Sequence, residues 1–192
     1  WLLSFLLSLS MCLCEHYLNE DQLSAYSVYM ANQGNRPDLF PIGQYPNASQ
    51  RQDYLDYDVP PEALEDEVFS AMLTEAEKYL GMPYVWGGSS PSTSFDCSGF
   101  VSWVINHSGW DVGRLGAKAL CNLCTPVSPA NARPGDLVFF INTYDAPDPN
   151  APTHCGIYVG ENMMIHCGNP ISYADLTSNY WQNHFYCYGR LP

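Results

Sequence analysis

The strongest constraint on the fold is a hairpin pattern near the end of the chain. The segment HCGIYVGENMMIHCG, residues 154–168, alternates like two strands around a three-residue Gly-Glu-Asn loop. This register places His166 opposite Gly156. Because alternate residues of a strand point to the same side, His154 and His166 then share one face as diagonal neighbours. Such a pair suits a general base and a partner that fixes its tautomer, although each histidine alone could be structural.

The same register places Cys155 opposite Cys167 on the other face, away from the histidines. These thiols either pack in the core as small apolar groups or form a cross-strand disulfide. A zinc site made of both cysteines and both histidines is disfavoured, because opposite faces separate the ligands. Cys121 and Cys124 form half of a zinc ribbon, but the sequence has no second C-x-x-C.

A helix N-terminus is predicted at Cys97. Asp96 or Ser94 can cap a helix whose apolar body extends to Ile105, and the preceding loop is rich in Gly, Ser and Pro. Unpaired amides and the helix dipole favour a thiolate at that position, so Cys97 is a candidate nucleophile and a buried inert thiol is the alternative. Three glycines are expected to let a substrate backbone come close: Gly87, Gly88 and Gly99.

Composition divides the chain into residues 1–61 and residues 62–192. The first part begins with the apolar run WLLSFLLSLSMCLC and continues as a linker rich in Pro, Asn and Asp. The apolar run is shorter than the ~20 residues that span a bilayer, and it suits the remainder of an export signal or of a membrane anchor. The second part is the expected folded domain.

That domain is predicted to be α+β. A helix begins at about residue 62 after two prolines, with acidic first turns and a stop at Gly81. Its predicted apolar positions are Leu64, Val68, Met72, Ala76 and Tyr79/Leu80. The helix at Cys97 follows, and the remaining pattern is of antiparallel strands, including residues 136–141 and 185–188.

Charge excludes several classes of partner. Seven Lys plus Arg against 20 Asp plus Glu give a net charge of −13, which disfavours nucleic acid and anionic lipid. Aromatic residues make up 14% of the chain, which suggests a rigid site or a groove that faces carbohydrate or peptide.

Three segments together resemble the NlpC-type family of cell-wall cysteine peptidases, in the papain-like superfamily. They are PYVWGGSSPSTSFDCSGFV, ARPGDLVFF and HCGIYVGENMMIHCG, and the resemblance covers approximately residues 64–192. It implies a papain-like α+β fold, with the nucleophile helix packed on an antiparallel sheet. It further implies Cys97 as nucleophile, His154 as general base and His166 as orienting residue. The substrate-binding residues that it implies are Tyr84, Trp86, Asp96 and Ser98.

The resemblance also implies a function: hydrolysis of peptidoglycan stem peptides, commonly between D-γ-glutamyl and a diamino acid, with no cofactor. Three alternatives to this function stay open. They are an amidase or acyltransferase that uses the same thioester chemistry, a non-catalytic wall-binding module, and a metal-binding structural domain. We expect a bacterial, exported monomer at the cell envelope, with an upstream lysozyme-like module as in lytic proteins of conjugative elements. The bond cleaved, the N-terminal anchor and the redox states of the cysteine pairs stay open.

Overall fold

The computed structural model describes residue 55 and residues 57–192, where three helices precede the main antiparallel sheet and a fourth lies between its last two strands. The helices are α1 (Glu67–Glu77), α2 (Cys97–Asn106), α3 (Ala117–Leu123) and α4 (Asn179–His184), with 3-10 turns at Pro61–Glu65 and Pro129–Asn131. The strands are β1 (Ser89–Ser90), β2 (Ser94–Phe95), β3 (Thr125–Val127), β4 (Leu137–Phe140), β5 (His154–Gly160), β6 (Met163–Cys167), β7 (Ile171–Asp175) and β8 (Phe185–Arg190). The predicted α+β class is confirmed. The apolar N-terminal run and nearly all of the linker lie outside the described residues.

Helix α1 begins later than the sequence pattern predicted. The Asp66 carboxylate accepts hydrogen bonds from the amides of Val68 and Phe69, so the helix starts after a separate 3-10 turn. This start changes the buried face. Val68 is 50% exposed and Leu64 41% exposed. The apolar side chains that α1 buries are Phe69, Met72, Leu73 and Ala76.

Six antiparallel strands form the main sheet in the order β3-β8-β4-β5-β6-β7. In the β5–β6 hairpin, Ile157 lies opposite Ile165 and Tyr158 opposite Met164, which is the predicted register. The predicted three-residue loop is wrong. Gly160 pairs with Met163 across a two-residue turn in which both residues have positive φ, and the register shifts between Tyr158 and Gly160. The irregularity absorbs one residue, so the faces predicted farther along the hairpin are unchanged.

Both faces of the sheet are covered. Helix α2 packs against β5 and β6 through side chains that are fully buried: Phe100, Val101, Val104 and Ile105. The opposite face carries a separate apolar cluster that consists of Val138, Phe140, Met164, Ala174, Leu176 and Tyr188. Among the described residues, no helix is long and apolar enough to cross a membrane.

Candidate active site

Cys97 is the first residue of α2. The Asp96 carboxylate caps this helix by accepting a hydrogen bond from the Gly99 amide at 2.7 Å, as predicted. Cys97 is only 6% exposed. The pKa of its thiol nevertheless lies well below the ordinary value, because a hydrogen bond with Cys155 and the interaction with His154 together outweigh burial. The thiolate is the reactive form of cysteine, so these contacts favour a nucleophile.

The two histidines lie on one face of the sheet, as the register predicted. Nε2 of His154 lies 2.8 Å from Nδ1 of His166, and both side chains are buried. Because this hydrogen bond occupies Nε2 of His154, its Nδ1 is the nitrogen that remains for the thiol of Cys97. The hydrogen bond between the two rings therefore fixes the orientation of His154.

Two glycines leave the space that this pair occupies. A β-carbon on Gly156 would lie 3.0 Å from Cβ of His166 and 2.9 Å from the sulfur of Met164. One on Gly168 would lie 2.8 Å from Cε1 of His166, closer than real contacts allow. A side chain at either position would therefore displace the second ring.

Trp181 of helix α4 packs against both rings of the histidine pair. Its ring stacks on His154 with centroids 5.4 Å apart and an interplanar angle of 27°, and it meets His166 edge-on at 5.1 Å. Phe140 supports it at 4.5 Å. Sequence reasoning missed Trp181, because the α4 segment has no strong apolar period; the one available signal was an aromatic pair inside a polar run.

Cys155 and Cys167 lie on the face of the sheet predicted for them, away from the histidines. Both are buried free thiols on the face covered by α2. The first residue of α2 lies at the start of β5, where the Cys97 thiol donates to the carbonyl of Thr153 at 3.9 Å and also interacts with the Cys155 thiol. The Cys167 thiol instead donates to the carbonyl of Phe95 at 3.2 Å.

Asp96 and Ser98 belong to a network around Arg114, a residue that the sequence did not single out. The guanidinium donates to both carboxylate oxygens of Asp96 at 2.8 and 2.7 Å and to the hydroxyl of Ser98 at 3.0 Å. The amide of Gly87 also donates to Asp96, at 3.0 Å. The carboxylate is thus saturated by protein donors, and its visible role is to cap α2 and anchor the loop before it.

The glycines beside Cys97 serve the protein's own packing. A β-carbon on Gly99 would lie 2.1 Å from the carbonyl oxygen of Gly88, and one on Gly88 would lie 2.6 Å from the carbonyl oxygen of Ser94. The predicted room for a substrate backbone is therefore filled, at Gly88 and Gly99, by the neighbouring loop. Gly87 has φ +77° and no atom near its open side.

Three aromatic residues belong to the surroundings of the site: Tyr84, Trp86 and Tyr144. Burial and the charge of Cys97 raise the pKa of Tyr84, so its hydroxyl stays protonated and can donate. Trp86 is 71% exposed and meets Tyr144 edge-on, with ring centroids 5.3 Å apart. Burial, then the charges of Cys97 and Asp96, raise the pKa of Tyr144, a third site residue that the sequence did not single out.

A cysteine on a helix N-terminus beside histidines on an antiparallel sheet defines the class of papain-like α+β proteins. Residues 81–190 match the NlpC/P60 family, and the chain belongs to it.

Curated relatives share this segment. The chain is 41% identical over 126 residues to the bifunctional muramidase/DL-endopeptidase CwlT of Bacillus subtilis, covering 65% of this chain and 37% of that protein. It is 37% identical over 114 residues to the gamma-DL-glutamyl hydrolase of the same organism, covering 58% and 27%. The chain therefore spans about a quarter to about a third of the length of these relatives.

Solved structures agree with the fold. A Staphylococcus aureus Mu50 protein described as similar to a lipoprotein of the NLP/P60 family has a TM-score of 0.63 and 33% identity, covering 91% of this chain and 62% of that one. The NlpC/p60 domain of the peptidoglycan hydrolase SagA has a TM-score of 0.50 and 31% identity, covering 64% and 98%.

Proposed function

We propose that this chain is a cysteine endopeptidase that hydrolyses peptidoglycan stem peptides at the bond between D-γ-glutamyl and a diamino acid. The observation that carries the proposal is the chemistry assembled at Cys97: a thiol with a lowered pKa beside a buried, hydrogen-bonded histidine pair. Relatives named as a DL-endopeptidase and a gamma-DL-glutamyl hydrolase supply the bond class. No cofactor is needed for this reaction.

Each residue has a defined task in the proposed reaction. The Cys97 thiolate attacks the carbonyl carbon of the scissile amide, and His154 gives its proton to the departing amine. A thioester remains, which water attacks while His154 accepts the water's proton. His166 holds the His154 ring through the 2.8 Å hydrogen bond. The Tyr84 hydroxyl donates to the substrate, because its raised pKa keeps it protonated.

The network around Asp96 affects whether the site prefers free stem peptides or stem peptides that are still attached to glycan. Arg114 neutralises the Asp96 carboxylate, so Asp96 and Ser98 offer no uncompensated charge to a free ammonium group. Stem peptides still attached to glycan have an amide at that end instead. We therefore expect Asp96 and Ser98 to line the site for attached stems, with exposed Trp86 providing an apolar face beside them.

Digestion of purified peptidoglycan, followed by mass spectrometry, tests the proposal. We expect fragments that end in γ-linked D-glutamate and fragments that begin with the diamino acid, and Cys97→Ala should release neither. An amidase would release whole stem peptides with a free first amino group. An acyltransferase would join the acyl part to an added amine. A non-catalytic module would sediment with the wall and leave it uncut. Any of the last three results would overturn the proposal.

Location and neighbouring modules are proposed from the relatives. CwlT is named as bifunctional, with a muramidase activity beside the endopeptidase, and this chain covers 37% of it. We propose an exported bacterial protein at the cell envelope in which a lysozyme-like module accompanies this domain. The peptidase domain is proposed to be residues 62–192, and the protein is proposed to act as a monomer. Fractionation of the native host, with detection by an antibody against residues 62–192, would give both the location and the full length.

A further inference from the structure

Two thiols outside the site lie against each other between helix α3 and strand β8. The sulfur of Cys121 on α3 is 3.7 Å from the sulfur of Cys187 on β8, although 66 positions separate them in the chain. Both side chains are half-buried, so a small oxidant can reach them. Neither residue has a task in the proposed reaction.

Cys124, the other member of the C-x-x-C pair, is differently placed. It is buried, and burial raises the pKa of its thiol to about 12. Its Cβ and sulfur pack over Gly189, where an added β-carbon would lie 2.6 Å from Cβ of Cys124. Cys124 is therefore fixed on the backbone of β8, and Cys121 is the member of the pair that meets Cys187.

The surroundings favour a structural bond over redox catalysis or metal binding. Cys121 lies in the last turn of α3, whereas Cys97 lies at the N-terminus of its helix. Among the residues that the structure describes, no group of three or more His, Cys, Asp or Glu is arranged to hold a metal ion.

We propose that Cys121 and Cys187 are a disulfide site, and that the mature protein carries this bond as a staple between α3 and β8. The oxidant is a small or protein disulfide. The Cys121 thiolate attacks one of its sulfurs and releases a thiolate. The Cys187 thiolate then attacks the Cys121 sulfur of the mixed disulfide and releases the second. Two protein thiols lose two electrons and two protons, and the oxidant becomes two thiols.

The bond has a structural consequence near the site. Helix α3 directly follows the segment of Arg114, whose guanidinium neutralises Asp96 at the start of the nucleophile helix. A disulfide between α3 and β8 would fix α3 to the sheet, and with it the C-terminal end of the segment that carries Arg114. Burial, together with the neighbouring thiols, raises the pKa of Cys187 to about 12, so its sulfur is a poor leaving group and the bond would exchange slowly once formed.

Oxidation of the purified chain with glutathione disulfide tests the site directly. The remaining thiols are alkylated, and the protein is digested with chymotrypsin without reduction. Cleavage after Leu123 separates Cys121 from Cys124. Cleavage after Tyr186 separates Cys187 from the thiols that precede it. We expect one cross-linked peptide, which contains Cys121 and Cys187, while Cys97 is either alkylated or joined to glutathione. The Tm should rise by roughly 5–15 °C and return when a reductant is added.

Matched variants decide the outcome. Cys124→Ser should keep both the cross-link and the rise in Tm, whereas Cys121→Ser and Cys187→Ser should lose both. A cross-link between Cys121 and Cys124, or full alkylation of Cys121 and Cys187 after oxidation, would overturn the proposal. None of these readouts depends on hydrolysis of peptidoglycan, so failure here is distinct from failure of the proposed function.

Discussion

At the scale of single residues, Cys155 is a second thiol beside Cys97. A hydrogen bond with Cys155 and the charge of His154 both lower the pKa of Cys97. We expect Cys155→Ala to raise that pKa, because the thiolate loses a hydrogen-bond donor. The thiolate fraction grows as the pH rises through the thiol pKa, so the midpoint of Cys97 alkylation against pH should move upward. Cys167→Ala is the control, since the Cys167 thiol donates to the Phe95 carbonyl. An unchanged midpoint in Cys155→Ala would contradict this account.

Trp181 contacts both histidines of the proposed catalytic group. It stacks on His154 and meets His166 edge-on, so Trp181→Leu should loosen the ring that we propose transfers the proton. Stacking of this kind is worth ~0.5–2 kcal/mol, so we expect kcat to fall roughly 3–30-fold with KM little changed. Tyr180→Leu is the matched control, because Tyr180 contacts Trp181 and His184. A fall in kcat as large for Tyr180→Leu as for Trp181→Leu would refute the positioning role.

At the scale of secondary-structure elements, the sequence was most informative in the β5–β6 hairpin, where strict alternation of residues runs up to a tight turn. Strand alternation put His154 and His166 on one face, since a shift of one residue would turn every side chain over. The start of α1 was misplaced, because the Asp66 cap, and not the prolines, sets it. Strand β7 and helix α4 were missed, because each is short and polar residues interrupt its pattern.

Gly168, just after the hairpin, allows a test of the hydrogen bond between His154 and His166. In Gly168→Ala the new β-carbon would lie 2.8 Å from the His166 ring, so the ring must shift and its bond to His154 must lengthen. We expect kcat/KM to fall roughly 10–100-fold, with a Tm within a few degrees of the parent. Gly116→Ala, where no atom lies within 4 Å, is the control and should retain activity. Full activity in Gly168→Ala would mean that the hydrogen bond between the histidines does not matter.

At the scale of the whole molecule, the fold brings together residues that no local pattern could join. Arg114 reaches Asp96 from a loop, and Trp181 reaches His154 from the segment between β7 and β8. The sequence could predict the helix that begins at Cys97 and the hairpin that carries the two histidines. It could not predict Arg114, Trp181 or Tyr144, because their roles depend on tertiary contacts alone.

One buried carboxylate, that of Asp136, ties strand β8 to the loop before β4. Asp136 is 2% exposed and accepts hydrogen bonds from Nε of Arg190 at 2.7 Å and from the amide of Arg133 at 2.9 Å. We expect Asp136→Ala to lower the Tm by roughly 5–10 °C, because buried donors lose their acceptor. Asp148→Ala, which breaks an exposed pair with Lys118, should leave the Tm nearly unchanged. Equal Tm values for the two variants would show that the buried pair contributes nothing.

The central claim is that Cys97 is the nucleophile, His154 its base and His166 the residue that orients the base. The most direct test is kcat/KM on one peptidoglycan preparation for Cys97→Ala, His154→Ala and His166→Gln, each checked for an unchanged Tm. We predict no hydrolysis for Cys97→Ala, a loss of roughly 10²–10⁴-fold or more for His154→Ala, and measurable residual activity for His166→Gln. Residual hydrolysis by Cys97→Ala, or a loss for His166→Gln that equals or exceeds the loss for His154→Ala, would contradict the assignment.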